Sequence, residues 1–297
     1  MKGPIALGTI RTSFVLGLRL FVQASSLLLV ARMLGPGQFG VFAGVTALAV
    51  MLGALATFGT HLVLLGEVAK EAGRREEILP YAIPCTLLCG SFLLLVYSLI
   101  SSSVLNAASL SIFGLLLIGI TETLLQPLYA LMTSEHHALG RVARTQLLQL
   151  LPMVLRLVFA GVVVFLQLSH PFIVYASGYA AASMVALAYG AIRLPARWPS
   201  WRSWRLPSRQ EWSVAFGYAA INITRSAPGE LDKTLALKLL PPGVAGVYAV
   251  ATRVVGAITL PVSAMMLSAL PRLFREGRGS HKTAYLLGKI YAVALCY

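Results

Sequence analysis

Several ionisable residues fall inside strongly apolar stretches of the sequence, and seven of them are candidates for chemistry: Arg19, Glu122, Arg156, Arg225, Asp232, Lys233 and Arg253. At a bilayer centre each costs on the order of 3 kcal/mol or more unless it faces water or a partner, so each needs a reason to be there. Two chemistries fit these residue types. Arginine is always charged and presents a planar fork of donors to phosphate or carboxylate oxygens. Arg19, Arg156, Arg225 and Arg253 therefore read as a cationic chamber for an anion. A carboxyl group in low dielectric can take up and release a proton as its surroundings change, and Glu122 and Asp232 are the two candidates for that coupling role. The alternative is that the charges pair across helices, Glu122 with Arg156 for instance, and only hold a bundle together. Among the seven, arginines outnumber acids, which favours the chamber.

Spacing assigns faces to these residues. Glu122, Gln126 and Tyr129 follow helical spacing, as do Gln149, Arg156 and Gln167, and such polar stripes point to a hydrated cavity. Arg225 and Asp232 lie seven apart, with Pro228-Gly229 between them expected to kink or unwind the helix. If Arg225 pairs with Asp232, that carboxylate stays ionised as a gate or anchor, leaving Glu122 as the better proton carrier. His61 reads as a satisfied polar residue.

The elements that position these residues follow from composition. Of the 297 residues, 58% are hydrophobic and only 11% charged, and the mean hydropathy is +0.80. A spanning helix needs about 20 mostly apolar residues, and the chain supplies such runs repeatedly. The expected spans are 12–34, 39–65, 81–101, 108–132, 147–168, 172–192, 212–240 and 244–270. A ninth run opens near Tyr285 and stops with the chain at Tyr297, so the reading expects a truncated protein. The fold class is an all-α, polytopic membrane helix bundle. It comprises one six-helix lobe and the first two to three helices of a second, parallel-repeat lobe.

Lys and Arg mark alternate connections. Lys2 and Arg11 precede the first span, Lys70, Arg74 and Arg75 follow the second, and Arg141 and Arg144 follow the fourth. Arg193, Arg197, Arg202, Arg205 and Arg209 follow the sixth, and Arg272, Arg275, Arg278 and Lys282 the eighth. By the positive-inside rule the N-terminus and every even connection are expected in the cytoplasm, in a multi-pass protein of the cytoplasmic (inner) membrane. No cleavable signal is expected at the start.

An internal repeat organises the chain. Arg32-Met-Leu-Gly-Pro-Gly-Gln-Phe-Gly-Val-Phe-Ala43 aligns with Lys238-Leu-Leu-Pro-Pro-Gly-Val-Ala-Gly-Val-Tyr-Ala249 at an offset of 206, with Leu34, Pro36, Gly37, Gly40, Val41 and Ala43 identical. The same offset carries Arg19 onto Arg225. Both copies start on one side, so the repeat is parallel about an axis along the membrane normal. The expected organisation is an N-terminal six-helix lobe over 1–192, a basic Trp-rich cytoplasmic linker over 193–211 and an incomplete C-terminal lobe over 212–297. The linker, with Trp198, Trp201 and Trp204 among arginines, reads as an interfacial anchor in contact with membrane lipids.

Several other functions lack support in the sequence. Gly35-Pro-Gly37-Gln-Phe-Gly40 spells a dinucleotide fingerprint, but it follows an apolar helix rather than a strand and has no acidic residue about 20 positions on. Its glycines serve a tight turn and close helix approach. The formal charge of +14 is spread over short loops, so no nucleic-acid partner is expected. Cys85, Cys89 and Cys296 fit neither a disulfide framework nor a metal site and read as small apolar fillers. No catalytic constellation, cofactor motif or P-loop is legible.

The run Leu27-Leu-Leu-Val-Ala-Arg-Met-Leu-Gly-Pro-Gly-Gln-Phe-Gly-Val-Phe-Ala43, with Phe58-Gly59, Glu67 to Glu71, Asp232 to Ala251 and Leu270-Pro271, resembles the bacterial oligosaccharide flippases of polysaccharide biosynthesis. These belong to the multidrug, oligosaccharidyl-lipid and polysaccharide exporter superfamily. The resemblance implies two six-helix lobes that move an undecaprenyl-diphosphate-linked oligosaccharide between leaflets by alternating access. It also implies coupling to a proton or sodium gradient, and a polysaccharide polymerase and chain-length proteins as partners. A diphosphate is the sort of anion an arginine-lined cavity suits. The rivals are a drug or cation antiporter of the same superfamily, for which more intramembrane acids are expected, and a non-transporting membrane scaffold or degenerate fragment.

Overall fold

The computed structural model describes residues 4–103, 110–167, 169–194 and 197–258, and every regular element among them is helical. Helix α1 (Pro4–Ala56) joins the first two expected spans end to end, and five described helical stretches are long and apolar enough to cross a membrane: Gly17–Ala56, Ala72–Ser103, Ile112–Ala138, Arg144–Leu166 and Pro171–Ile192. At 1.5 Å per residue the 40-residue stretch of α1 is long enough to cross twice. The helix is kinked at Gly35, whose φ of 71° and ψ of 166° lie outside the helical region. Pro36, which has no N–H to offer the preceding turn, starts the returning half. The expected outer turn is therefore a kink of one residue.

The second expected span, 39–65, is broken. The returning half of α1 ends at Ala56, and α2 (Thr60–Lys70) starts after a turn in which Phe58 and Gly59 take φ of 47° and 77°. Positive φ is strained for an aromatic residue. Phe58 is held there by its ring, 4.8 Å from that of Trp212 and 6.1 Å from that of Phe216.

Helix α3 (Arg75–Ser103) leads to α4 (Ile112–Ile120), a π-helical turn over Thr121–Leu125 and α5 (Gln126–Ala138), so the fourth expected span is one rod with an irregular middle. Helices α6 (Val142–Leu166) and α7 (Pro171–Ile192) follow as a hairpin close to the expected bounds. After the 193–208 connection come α8 (Arg209–Leu239) and α9 (Pro242–Ile258). The expected unwinding at Pro228-Gly229 does not occur, since α8 runs unbroken across both residues. A proline removes one backbone bond, and here the rest of the helix is braced by α1: Asn222 donates to the Ala54 carbonyl at 2.8 Å and Thr234 to the Gly44 carbonyl at 3.3 Å. The expected continuation of α9 to Leu270, the ninth run and Cys296 lie outside the described residues; Cys85 and Cys89 are free thiols.

Helix α1 is the hub, touching α3, α6, α8 and α9. Its buried Val45 and Leu48 join Tyr97, Ile118, Tyr175 and Tyr179 in the main core. A second core under α2 gathers Leu64, Leu79, Leu131 and Ala215. The connections rich in Lys and Arg gather at one end of the bundle, called here the basic end, where the 193–208 connection is pinned to α3. Arg205 donates its backbone N–H to the Pro80 carbonyl at 3.0 Å, reaches the Glu77 carbonyl at 3.2 Å and grips the Glu211 carboxylate with both terminal nitrogens.

Candidate functional site

The π turn over Thr121–Leu125 places Glu122 in the middle of the bundle. A π turn holds one residue more than an α turn and leaves a backbone carbonyl in want of a donor, which is why such turns persist only where surroundings fix them. Here Thr121 and Thr123 turn their hydroxyls back onto the carbonyls of Leu117 and Gly119, at 2.7 and 2.9 Å. Two glycines let neighbouring helices close on the turn. A Cβ at Gly53 of α1 would overlap the Glu122 carbonyl oxygen, and one at Gly90 of α3 would overlap that of Thr123.

Glu122 is 7% exposed and accepts two hydrogen bonds on one oxygen: from the Tyr179 hydroxyl at 2.6 Å and from the Arg156 guanidinium at 3.3 Å. Arg156 also donates to Ser183 Oγ at 2.8 Å, and its Cζ lies 3.5 Å from the Tyr179 ring centroid. An arginine is thus stacked on an aromatic face and tied to a carboxylate, in surroundings that screen charge poorly. Arg156 Nε is buried with no acceptor, so one donor of the fork is unspent.

A chain of polar contacts leads from this cluster toward the basic end along the α1–α6 contact. Along it Gln23 donates to the Met153 sulfur at 3.8 Å, and Arg19 donates to Gln149 Oε1 at 3.3 Å. Arg19 and Arg156 therefore lie along the same side of α6, on which Gln149 and Arg156 are seven positions apart. The stripe expected from Gln149 and Arg156 faces α1 and the π turn, but Gln167 does not join it: it caps α6 with a φ of 47° and is exposed. Glu122 and Tyr129 both meet α6, Tyr129 by donating to the Leu148 carbonyl. The polar stripe is closed by mutual hydrogen bonds rather than opened as a hydrated cavity, because arginine, tyrosine and serine are long enough to reach across.

Asp232 accepts from the Lys233 backbone N–H at 2.6 Å and from the Tyr248 hydroxyl at 3.1 Å. Lys233 pairs with Glu230 at 2.5 Å. That pair lines a cavity of about 70 Å³ between α1, α8 and α9, with Phe39, Phe42 and Thr46 opposite; neither Arg19 nor Arg156 lines it. Arg225 and Arg253 occupy α8 and α9, and their side chains lie outside what is described. His61 hydrogen-bonds Thr57 at 2.7 Å.

One pair escaped the sequence reading. Arg75, counted there only as a positive-inside residue, donates to Glu135 at 2.7 Å, and Glu135 is fully buried with its other oxygen unpartnered. The signal available was Glu135-His136-His137 at the end of an apolar run. Its partner lies 60 residues away, and no spacing rule reaches that far. Among the described residues no three or more metal-ligating side chains converge.

A family model described as polysaccharide biosynthesis protein matches residues 9–276. No curated protein matches in sequence. The fold is similar to that of a crystal structure of MATE in complex with MaL6, at a TM-score of 0.57 and 12% identity, covering 96% of this chain and 67% of that one. It is likewise similar to a crystal structure of MATE in complex with Br-NRF, at a TM-score of 0.56 and 13% identity, covering 96% and 69%.

Proposed function

Given that the chain belongs to the family of polysaccharide biosynthesis proteins, we propose that this multi-pass membrane protein translocates a glycan carried on a polyprenyl diphosphate, by alternating access. The observation that carries the reading is the buried pair of Glu122 and Arg156 at the π turn. With no anion at hand, Glu122 serves as the counter-ion of Arg156. A diphosphate entering along the α1–α6 side takes over the guanidinium, and Glu122 is then relieved of its charge by a proton. Anion binding and proton uptake are thereby one event at one carboxylate, which would couple cargo to a proton gradient.

The same reading assigns Arg19 to the approach path and Arg225 and Arg253 to the equivalent path in the second repeat. Asp232, held by Tyr248, is the gate. The segments 1–192 and 212–297 act as lobes that move about the 193–211 linker, with the basic end in the cytoplasm of a cell with the protein in its inner membrane. A gradient-driven exporter of organic cations is the alternative. It would need the Glu122 carboxylate for its cargo, and Arg156 and Tyr179 already engage one of its two oxygens.

The test is transport of a labelled polyprenyl-diphosphate glycan into proteoliposomes under an imposed pH gradient. Glu122→Gln is expected to abolish the gradient dependence and Arg156→Ala to abolish transport. Full transport by Arg156→Ala sinks the anion site. Full gradient dependence in Glu122→Gln sinks the proton role.

A further inference from the structure

A groove of about 360 Å³ opens on the periphery of the bundle between α6 and α7, away from the polar cluster. Its lining comes from these two helices and from Arg193, which closes α7; α1, which packs against α6, contributes nothing. Two stripes at helical spacing build it. On α6, Arg144, Leu148, Leu151 and Leu155 follow one another by four, three and four residues; on α7, Val185, Tyr189 and Arg193 follow by fours. Each stripe is apolar toward the middle of its helix and ends in an arginine at the basic end.

Both arginines are exposed, and among the described residues neither has a carboxylate partner. Arg193 Cζ lies 5.2 Å from the Tyr189 ring centroid, which holds its guanidinium at the mouth of the groove. Arg144 stands in the first turn of α6, where the positive end of the helix repels a cation and where no acidic residue offsets it. Helix stability therefore does not select that arginine, and two unpaired guanidinium groups at the head of an apolar trough ask for an anion with a tail.

We propose that this groove is a binding site for an anionic phospholipid of the leaflet at the basic end. One acyl chain lies along Leu147, Leu151, Leu155 and Val185, and the phosphate rests between Arg144 and Arg193. The site is separate from the transport path and independent of what the cargo is. Its role is to seat the α6–α7 hairpin at a fixed depth in the leaflet.

The experiment reads chain proximity and headgroup preference together. Val185→Trp, at a position that is 55% exposed, adds an emitter in the groove wall, and its signal is taken as the increment over the parent protein. The protein is reconstituted in phosphatidylcholine nanodiscs doped with chain-brominated phosphatidylglycerol or with chain-brominated phosphatidylcholine. Two arginines near an anionic headgroup give a preference on the order of tenfold for the phosphatidylglycerol as quencher. Arg144→Gln with Arg193→Gln is expected to erase that preference while leaving ordinary quenching by both lipids. Native mass spectrometry of the unmodified protein and of the double variant, comparing retained phosphatidylglycerol, checks the result without the added tryptophan. Equal quenching by the two lipids, or a preference that survives the double substitution, overturns the proposal. Relief of quenching by inorganic phosphate also overturns it, since the groove would then be a site for a soluble anion.

Discussion

Gly40 and Gly246, which hold equivalent places in the two copies of the repeat, are set against one another where the two copies meet. A Cβ at Gly40 would overlap the Pro242 carbonyl oxygen; one at Gly246 would stand 2.8 Å from the Pro36 carbonyl oxygen and 3.3 Å from the Gly40 nitrogen. Pro36 and Pro242 are themselves a repeat pair, so the contact is reciprocal, as a two-fold relation along the membrane normal requires. Without side chains between them, the backbones of α1 and α9 come as close as helices can.

Gly40→Ala is accordingly expected to destabilise the protein by roughly 1–3 kcal/mol, because a methyl group must push two backbones apart. Gly37→Ala, three residues earlier in the same motif, has nothing within 4 Å and serves as the control. Melting temperatures in detergent check the pair; equal losses would remove the argument.

Breaking the central ion pair from either side leaves a buried charge alone, at about 3 kcal/mol. Glu122→Gln and Arg156→Met should each lower the melting temperature, and the double variant should recover much of the loss. A double-mutant cycle measures this coupling, and additive losses would mean the two residues are not paired.

The second buried pair is asymmetric. Glu135 is fully enclosed, whereas the Arg75 side chain is 13% exposed and keeps an outlet toward solvent. Arg75→Met should therefore destabilise more than Glu135→Leu, with about 3 kcal/mol for the former as a carboxylate is stranded without its cation. The order of melting temperatures decides it.

At the basic end, the hydrogen bonds from Arg205 and then those from Ser208 hold the Glu211 carboxyl down at about 2, against an ordinary 4.5. A depressed carboxylate contributes stability that is complete above its ordinary value and is lost as the pH falls toward 2. The pin between the 193–208 connection and α3 should thus persist through mild acid. An NMR titration of the Glu211 carboxyl carbon is expected to move back toward 4.5 in Arg205→Gln. The Glu211 side chain is half-buried and its partner Arg205 is exposed, so the effect on global stability is small.

Much of this architecture could be read from residues alone, for physical reasons that differ by element. Helix α7 keeps its expected bounds to within one residue, and α3 and α6 end within two residues of theirs but start five or six residues earlier, because apolar length is a property of consecutive residues and the polar first turns fall outside it. The repeat was legible because Pro36, Gly37 and Gly40 recur intact. The break at Phe58 was not, because a positive φ at a phenylalanine depends on Trp212 and Phe216, more than 150 residues away. The π turn is likewise set by glycines on two other helices, Gly53 and Gly90. Of the candidate residues, Arg19, Glu122 and Arg156 were singled out by the cost of burying charge. The pairing of Glu122 with Arg156 stood only as the alternative to an open chamber, and Tyr179 and Ser183, which complete the cluster, carry no charge to betray them.

The π turn also acts on everything that follows it. One extra residue in a turn rotates the remainder of a helix by about 100° relative to an uninterrupted α-helix. Tyr129 and Glu135 lie beyond the turn, and Leu115 and Ile118 before it. Were the turn to relax to α, Tyr129 would leave the Leu148 carbonyl and Glu135 would swing away from Arg75, while the residues of α4 kept their places. The rod from Ile112 to Ala138 is therefore a screw with a single detent. Turning it by one notch would release or engage the Tyr129–Leu148 contact and the Glu135–Arg75 ion pair together, both of which lie beyond the turn.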